Sequence, residues 1–184
     1  MDRRGIRRFL VNYASIRNCD IANGEGVRVS LFVSGCTHRC KGCFNAEAQD
    51  FAYGEPFTRE TEDFVLDALA PAHIAGLTLL GGEPMEPENQ RALLPFLRRF
   101  RSRFGTSKTL WIYTGCIWES LAGKTPGPYR WRIEATPRIL ELTDVLVDGP
   151  FVEALKDISL RFRGSSNQRV LRLASDGTAK ILIP

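Results

Sequence analysis

Apolar positions along the chain fall into short continuous runs that alternate with amphipathic stretches. Residues 27–34, Val-Arg-Val-Ser-Leu-Phe-Val-Ser, are rich in β-branched and aromatic types and follow the turn signal Asn23-Gly24-Glu25-Gly26, so they predict a buried strand. Thr58 can cap a helix with Glu60 and Glu62 in its first turn and Phe64, Val65 and Leu69 at helical spacing, stopped by Pro71. A strand at 77–80 follows and runs into Gly81-Gly82-Glu83-Pro84. Residues 87–103 give an amphipathic helix with Leu93, Leu94, Leu97 and Phe100 inward and arginines outward; Pro95 predicts a kink or a late start. Residues 109–113 and 145–147 read as strands, and Thr136-Pro137 opens a short helix between them. The stretch 122–131, with Gly123, Pro126, Gly127 and Pro128, reads as a surface loop, and 168–183 holds two short β-like runs around Ser175-Asp176-Gly177.

Alternating strands and helices predict an α/β fold with a parallel sheet wrapped by helices. The loops after Ser34, Leu80, Tyr113 and Val147 then all leave strand C-termini, the edge where such folds carry their chemistry. With 184 residues, 43% of them hydrophobic, one core is expected. Residues 21–184 form the expected domain, and residues 1–20 an N-terminal extension or edge segment.

No apolar run approaches the roughly 20 residues that cross a bilayer, so no membrane association is expected. Arg3, Arg4, Arg7 and Arg8 precede only Phe9-Leu10-Val11, too short for a secretory segment, which predicts a cytoplasmic protein. A net charge of +4 suits an acidic protein partner or phosphate, and direct nucleic-acid binding is not expected. Arg98, Arg99, Arg101 and Arg103 form a basic helix end that either docks a partner or faces solvent.

Five cysteines, three of them crowded between positions 36 and 43, do not make a disulfide framework in a reducing compartment. Cys36, Cys40 and Cys43 together suit one soft metal centre, either zinc or an iron-sulfur cluster. A closed zinc site and a simple electron-transfer cluster each take four ligands, whereas this loop offers three thiolates. His38 lies awkwardly between two of them to ligate as well, and Cys19 and Cys116 read as small buried hydrophobes. An under-ligated centre leaves a metal position open for a small molecule, which is a catalytic arrangement.

Cys36-x-x-x-Cys40-x-x-Cys43 after the first core strand, joined to Gly81-Gly82-Glu83-Pro84 after a later one, resembles the radical S-adenosylmethionine (SAM) superfamily. The resemblance implies a partial (β/α) barrel of radical SAM type and a 4Fe-4S cluster on Cys36, Cys40 and Cys43, whose open iron chelates SAM. It also implies that Gly81, Gly82 and Glu83 receive the methionine amino group, glycines allowing close approach and Glu83 complementing an ammonium. Asn23-Gly24, residues 31–36, Gly42-Cys43-Phe44-Asn45, residues 145–149 and residues 163–168 extend the likeness to the activating proteins of anaerobic ribonucleotide reductases. Gly42 stands where many radical SAM proteins carry an aromatic, a feature shared with this activating family, and the 122–131 loop is longer than expected.

Phe44 is then either an apolar surface for adenine or a core residue. Asp148 either faces the SAM site or a cation, or opens the Asp-Gly turn. The implied activity is reductive cleavage of SAM to a radical that takes hydrogen from a glycine of the large catalytic subunit of the reductase. A one-electron donor such as a flavodoxin would supply the electron. The cofactor carries the chemistry, so no catalytic acid, base or nucleophile beyond the cluster and SAM site is required. Two other readings stand beside it: another small radical SAM enzyme with a different target, and a zinc-binding module in which Cys19 or Cys116 supplies a fourth thiolate.

Overall fold

The computed structural model describes residues 11–183; Arg3, Arg4, Arg7, Arg8 and the first half of the expected N-terminal segment lie outside the described residues. In chain order the elements are β1 (Asn12–Asp20), β2 (Val27–Val33), β3 (Glu55–Pro56), α1 (Arg59–Ala68), β4 (Ile74–Gly81), α2 (Pro87–Phe104), β5 (Thr109–Tyr113), α3 (Trp118–Leu121), α4 (Thr136–Leu142), β6 (Val145–Asp148), β7 (Arg169–Leu173) and β8 (Ala179–Ile183). All eight strands join one mixed sheet in the order β3-β1-β2-β4-β5-β6-β7-β8. Its middle, β2-β4-β5-β6, is parallel, while β1 and β7 flank it antiparallel.

The parallel strands are buried on both faces: one packs on the helical layer, and the other carries Arg28, Ser30 and Thr78 and then Phe32, Leu80 and Tyr113 along a cavity. Leu31, Leu77, Leu79, Leu110, Ile112 and Leu146 share one buried cluster with Val65, Leu69, Leu93, Phe96, Leu97 and Phe100 of the helical layer. The C-terminal ends of β2, β4, β5 and β6 point the same way, so the four loops singled out in the sequence emerge at one sheet edge.

Thr58 caps α1, its hydroxyl accepting from Thr61 N. Phe64, however, is 52% exposed. The buried stripe is Glu62, Val65, Leu66 and Leu69, spaced i, i+3, i+4, i+7, and Phe64 falls one position off it. The α2 helix begins at Pro87 and continues through Pro95, which lies on its exposed side, so the late start does not occur. Leu94 is only half-buried, and Phe96 fills the core instead. The arginines of α2 are largely committed within the protein: Arg99 to Glu62 and Asp63, Arg101 to Asp144, and Arg103 to Asp67. That pairing removes much of the expected docking patch.

At the opposite end of the parallel strands lies Arg28, fully buried in β2. Its guanidinium donates to Leu77 O (2.8 Å), Thr109 O (3.0 Å), Thr109 Oγ1 (3.0 Å), Thr78 Oγ1 (2.7 Å) and Glu25 O (3.1 Å). Burial pulls its pKa down to about 10, against the raising influence of Tyr113 and then of Asp144, Glu25 and Asp20. A charge so placed is tolerable only because its donors are met by strand carbonyls and hydroxyls. Arg28→Met is therefore expected to orphan those acceptors and cost on the order of 3 kcal/mol in urea unfolding of the cluster-free protein, and a change within measurement error would contradict this.

Candidate metal and cofactor site

The chain leaves β2 into the cysteine loop and is pinned at once: Ser34 N donates to Asn12 O, Gly35 N to Ala48 O and Cys36 N to Gln49 O. Two left-handed positions, Arg39 (φ 51°) and Gly42 (φ 69°), coil the loop so that Cys36, Cys40 and Cys43 all line one cavity. The left-handed φ at Gly42 is a conformation that L side chains rarely adopt, which gives glycine its reason at that position. Asn45 N donates to Cys43 Sγ at 3.4 Å, and the backbone of His38 and Arg39 beside Cys36 and of Phe151 beside Cys40 favours the thiolate form. Such bonds to sulfur are among the protein's levers on an iron-sulfur cluster. Burial pushes the Cys36 thiol up to about 12 and also raises Cys40. A bound metal cation reverses that preference, because coordinated thiols are deprotonated.

The Gly81-Gly82-Glu83 turn is pressed against the root of this loop. Gly82 N donates to Val33 O (2.7 Å) and Glu83 N to Gly35 O (2.9 Å), while Asn89 Nδ2 bridges Ser34 O and Glu83 O. A Cβ at Gly81 would meet Val33 O at 2.6 Å, and one at Gly82 would meet Gly35 O and Ala48 O at 2.7 Å. The glycines thus let two protein loops touch, a need separate from any approach to a ligand. Glu83 is 1% exposed: its Oε1 accepts from Met85 N (2.8 Å), and its Oε2 from Gly115 N (2.8 Å) and His38 Nε2 (2.9 Å). Burial lowers the His38 pKa, but the hydrogen bond and charge of Glu83, with Glu86 adding, outweigh it and leave the imidazole raised.

Several participants carry no motif that singles them out in the sequence. Buried Glu86 accepts from Thr37 N (2.8 Å), Thr37 Oγ1 (2.5 Å) and Arg130 NH2 (3.0 Å), tying the cysteine loop to the start of α2. The stretch 122–131, expected as a surface loop, carries Trp131 onto His38, the rings stacked at 4.6 Å and 9°. Tyr129 and Trp131 also pack on the main core. The Gly and Pro residues that suggest a surface loop are indeed exposed, and the aromatic end returns inward. Glu86 has one legible signal, its position three residues after Glu83, whereas Trp131 has none.

The cavity measures about 540 Å³ and is walled by the three cysteines, Gly81, Gly82 and Glu83, with Phe44, Tyr113 and Gly115 completing it. That volume lies within the usual range for small-molecule sites. Phe44 is 61% exposed and tilts against Phe151 at 5.3 Å, with Lys156 above its ring, so it is a wall residue rather than core. The buried Tyr113 hydroxyl, on a cavity-lining residue, has no hydrogen-bond partner among the described residues. These walls fit a cluster and a ligand of nucleoside size: sulfur donors at one place, a buried carboxylate beside them, and an aromatic edge.

Asp148 does not line the cavity. It is fully buried at the end of β6, where it takes Arg169 in a two-point ion pair and accepts from Trp118 N (2.8 Å). The cation it faces is therefore an internal arginine. Cys116 is buried as expected, its sulfur grouped with His38 Nε2 and a Glu83 oxygen within 4.8 Å. Cys19 is exposed on β1, contrary to the buried reading, because it lies with Arg17 and Asn18 in an exposed stretch where the pairing with β2 is interrupted between Arg17 and Asp20.

Residues 22–171 match the 4Fe-4S single cluster domain family. The chain is 41% identical over 164 residues to the anaerobic ribonucleoside-triphosphate reductase-activating protein of Pasteurella multocida (strain Pm70), covering 88% of this chain and 98% of that one. It is 39% identical over 165 residues to the protein of the same name from Escherichia coli (strain K12), covering 89% and 99% of the two. The Enterobacteria phage T4 protein of that name is 35% identical over 160 residues, covering 87% of this chain and 93% of its own. The chain belongs to the family of anaerobic ribonucleoside-triphosphate reductase-activating proteins, within the 4Fe-4S single cluster class.

Because Asp148 serves Arg169 and not the cavity, Asp148→Asn is expected to lower unfolding stability by about 3 kcal/mol while leaving SAM affinity of the reconstituted protein within about twofold. A large loss of SAM affinity at unchanged stability would restore Asp148 to the ligand site.

Proposed function

We infer that this protein activates an anaerobic ribonucleoside-triphosphate reductase by generating a glycyl radical on its large catalytic subunit. The observation that carries the reading is one cavity walled by both motifs, Cys36, Cys40 and Cys43 on one loop and Gly81, Gly82 and Glu83 on the other. Family membership gives the target. Cys36, Cys40 and Cys43 would hold the 4Fe-4S cluster, which would supply the electron for reductive cleavage of SAM and so the radical chemistry that removes a hydrogen from the partner's glycine.

The chain's own part is to bind and orient. Cys36, Cys40 and Cys43 would hold the cluster, and the backbone beside Cys36 and Cys40 favours their thiolates. A carboxylate offers about four acceptor positions, three of which are filled on Glu83, so one on Oε1 remains for the methionine ammonium. Gly81 and Gly82 let the turn sit against the root of the cluster loop, Gly42 supplies that loop's left-handed position, and Phe44 offers its exposed ring to the adenine. The cavity is open beside Phe44 and Ile158, and a polypeptide substrate can close it and exclude water in place of a lid.

Parallel β2-β4-β5-β6 with its helices is read as a partial (β/α) barrel of radical SAM type. The domain is read over residues 21–184, and of residues 1–20 the strand β1 joins its sheet between β2 and the two-residue β3 rather than at the edge. A flavodoxin-like protein is the electron donor. No described helix is long and apolar enough to cross a membrane. A thiolate-held cluster needs reducing surroundings, which favours the cytoplasm. The four-thiolate zinc reading gains little, since Cys19 is exposed and Cys116 lies with His38 and Glu83.

The test is electron paramagnetic resonance of the anaerobically reconstituted protein mixed with SAM, a reductant and the reductase subunit from the same organism. A glycyl radical doublet that disappears with Cys40→Ala is expected. SAM cleavage without the doublet would point to another radical SAM target, and zinc without iron or sulfide would overturn the cluster assignment.

A further inference from the structure

The 122–131 loop and His38 are the parts of the site left without a task by the motif chemistry, and they meet each other. The His38 ring is confined from two sides. Trp131 stacks on one face at 4.6 Å, and the Gly115 backbone lies so near the Nε2 end of the ring that a Cβ there would stand 2.8 Å from Cδ2 and 2.9 Å from Nε2. Confined in this way, Nε2 is directed at Glu83 Oε2, 2.9 Å away, and also lies 3.7 Å from Cys116 Sγ. The side chain is 13% exposed, against 1% for Glu83.

We propose that His38 is a positioning residue for SAM: clamped between Trp131 and Gly115, it fixes the rotamer of Glu83 so that the free Oε1 position meets the methionine ammonium. The proposal rests on the functional reading above and assigns a task to residues that reading leaves idle. Its physical basis is a count of donors. Met85 N holds Oε1, and Gly115 N alone would hold Oε2, leaving the carboxylate free to rock about the line between them. His38 Nε2 supplies the third point that stops this motion. A buried carboxylate without that bond would also be under-satisfied. Because His38 sits between Cys36 and Cys40, the same contact sets the ammonium site relative to the cluster loop. Trp131 acts one step further out, by denying the imidazole its other rotamers. A site must be held to within about half an ångström to work, and such supporting contacts provide that precision.

Equilibrium dialysis of the reconstituted protein tests this with two probes, SAM and the SAM analogue lacking the α-amino group, alongside iron and sulfide content. His38→Ala is expected to weaken SAM binding about tenfold, the loss of one charge-assisted hydrogen bond, and to leave binding of the deamino analogue unchanged. His38→Gln, which returns an N–H donor near Nε2, should recover most of the affinity. In a Glu83→Gln background, His38→Ala should have no further effect, since coupled residues are not additive. Iron and sulfide should stay at the wild-type level throughout. Equal losses for both probes, additive effects, or loss of iron with His38→Ala would overturn the proposal and leave His38 as a structural part of the cysteine loop. Wild-type protein that holds iron and sulfide yet binds no SAM would instead overturn the functional reading itself, and this inference with it.

Discussion

The carboxylate of Glu83 is the contact on which the site depends. Through its two oxygens and its own amide it joins the loop after β2, the turn after β4 and the loop after β5, by way of His38, Gly35, Met85 and Gly115. Glu86 repeats the arrangement through Thr37 and adds Arg130 from the 122–131 loop. Both acids are 1% exposed, and each is tolerable there only because its lone pairs are engaged. A single turn, Gly-Gly-Glu-Pro-Met-Glu, thus fixes the cysteine loop from two points.

That arrangement is available because the sheet brings the loops to one edge. Parallel pairing of β2, β4, β5 and β6 aims four C-terminal ends in one direction, and alternate residues of those strands anchor them on the helical layer. Stability and chemistry are segregated along the strands. Arg28 stitches β2, β4 and β5 at their N-terminal side with hydrogen bonds to carbonyls, while the opposite side carries the sulfurs and Glu83. In a fold of this kind the loops can specialise because the strands beneath them are fixed by other residues.

Much of this is legible in the sequence where the signal is local. The strand before Cys36, the cap at Thr58, the turn at Gly81-Gly82-Glu83 and the three-cysteine spacing are each written in a few consecutive residues, and the structure has them together. What the sequence hides is carried by long-range contacts. His38 to Glu83, Thr37 to Glu86, and Trp131 to His38 join residues tens of positions apart, and no periodicity announces such pairs. β1 reads only as an extension or edge segment, because Asn-Tyr-Ala-Ser-Ile-Arg-Asn-Cys-Asp lacks an apolar run and is held in place by pairing with β2. Asp148 stands out as an acid at a strand end, yet its partner Arg169 comes from β7, which no local pattern connects to it. Conversely, the arginine end of α2 looks free for a partner because the acids that bind it lie on α1 and before β6.

The central claim is that one cavity holds both the cluster and the amino group of SAM, with Glu83 beside it. Electron-nuclear double resonance of the reduced, reconstituted protein with SAM labelled with nitrogen-15 at the amino group tests it most directly. A hyperfine coupling between the cluster and that nitrogen, altered when Glu83 is replaced by Gln, is the result expected. A cluster signal with no coupling to the labelled nitrogen would mean that SAM does not bind at the open iron, and the shared cavity could not be the site of both groups.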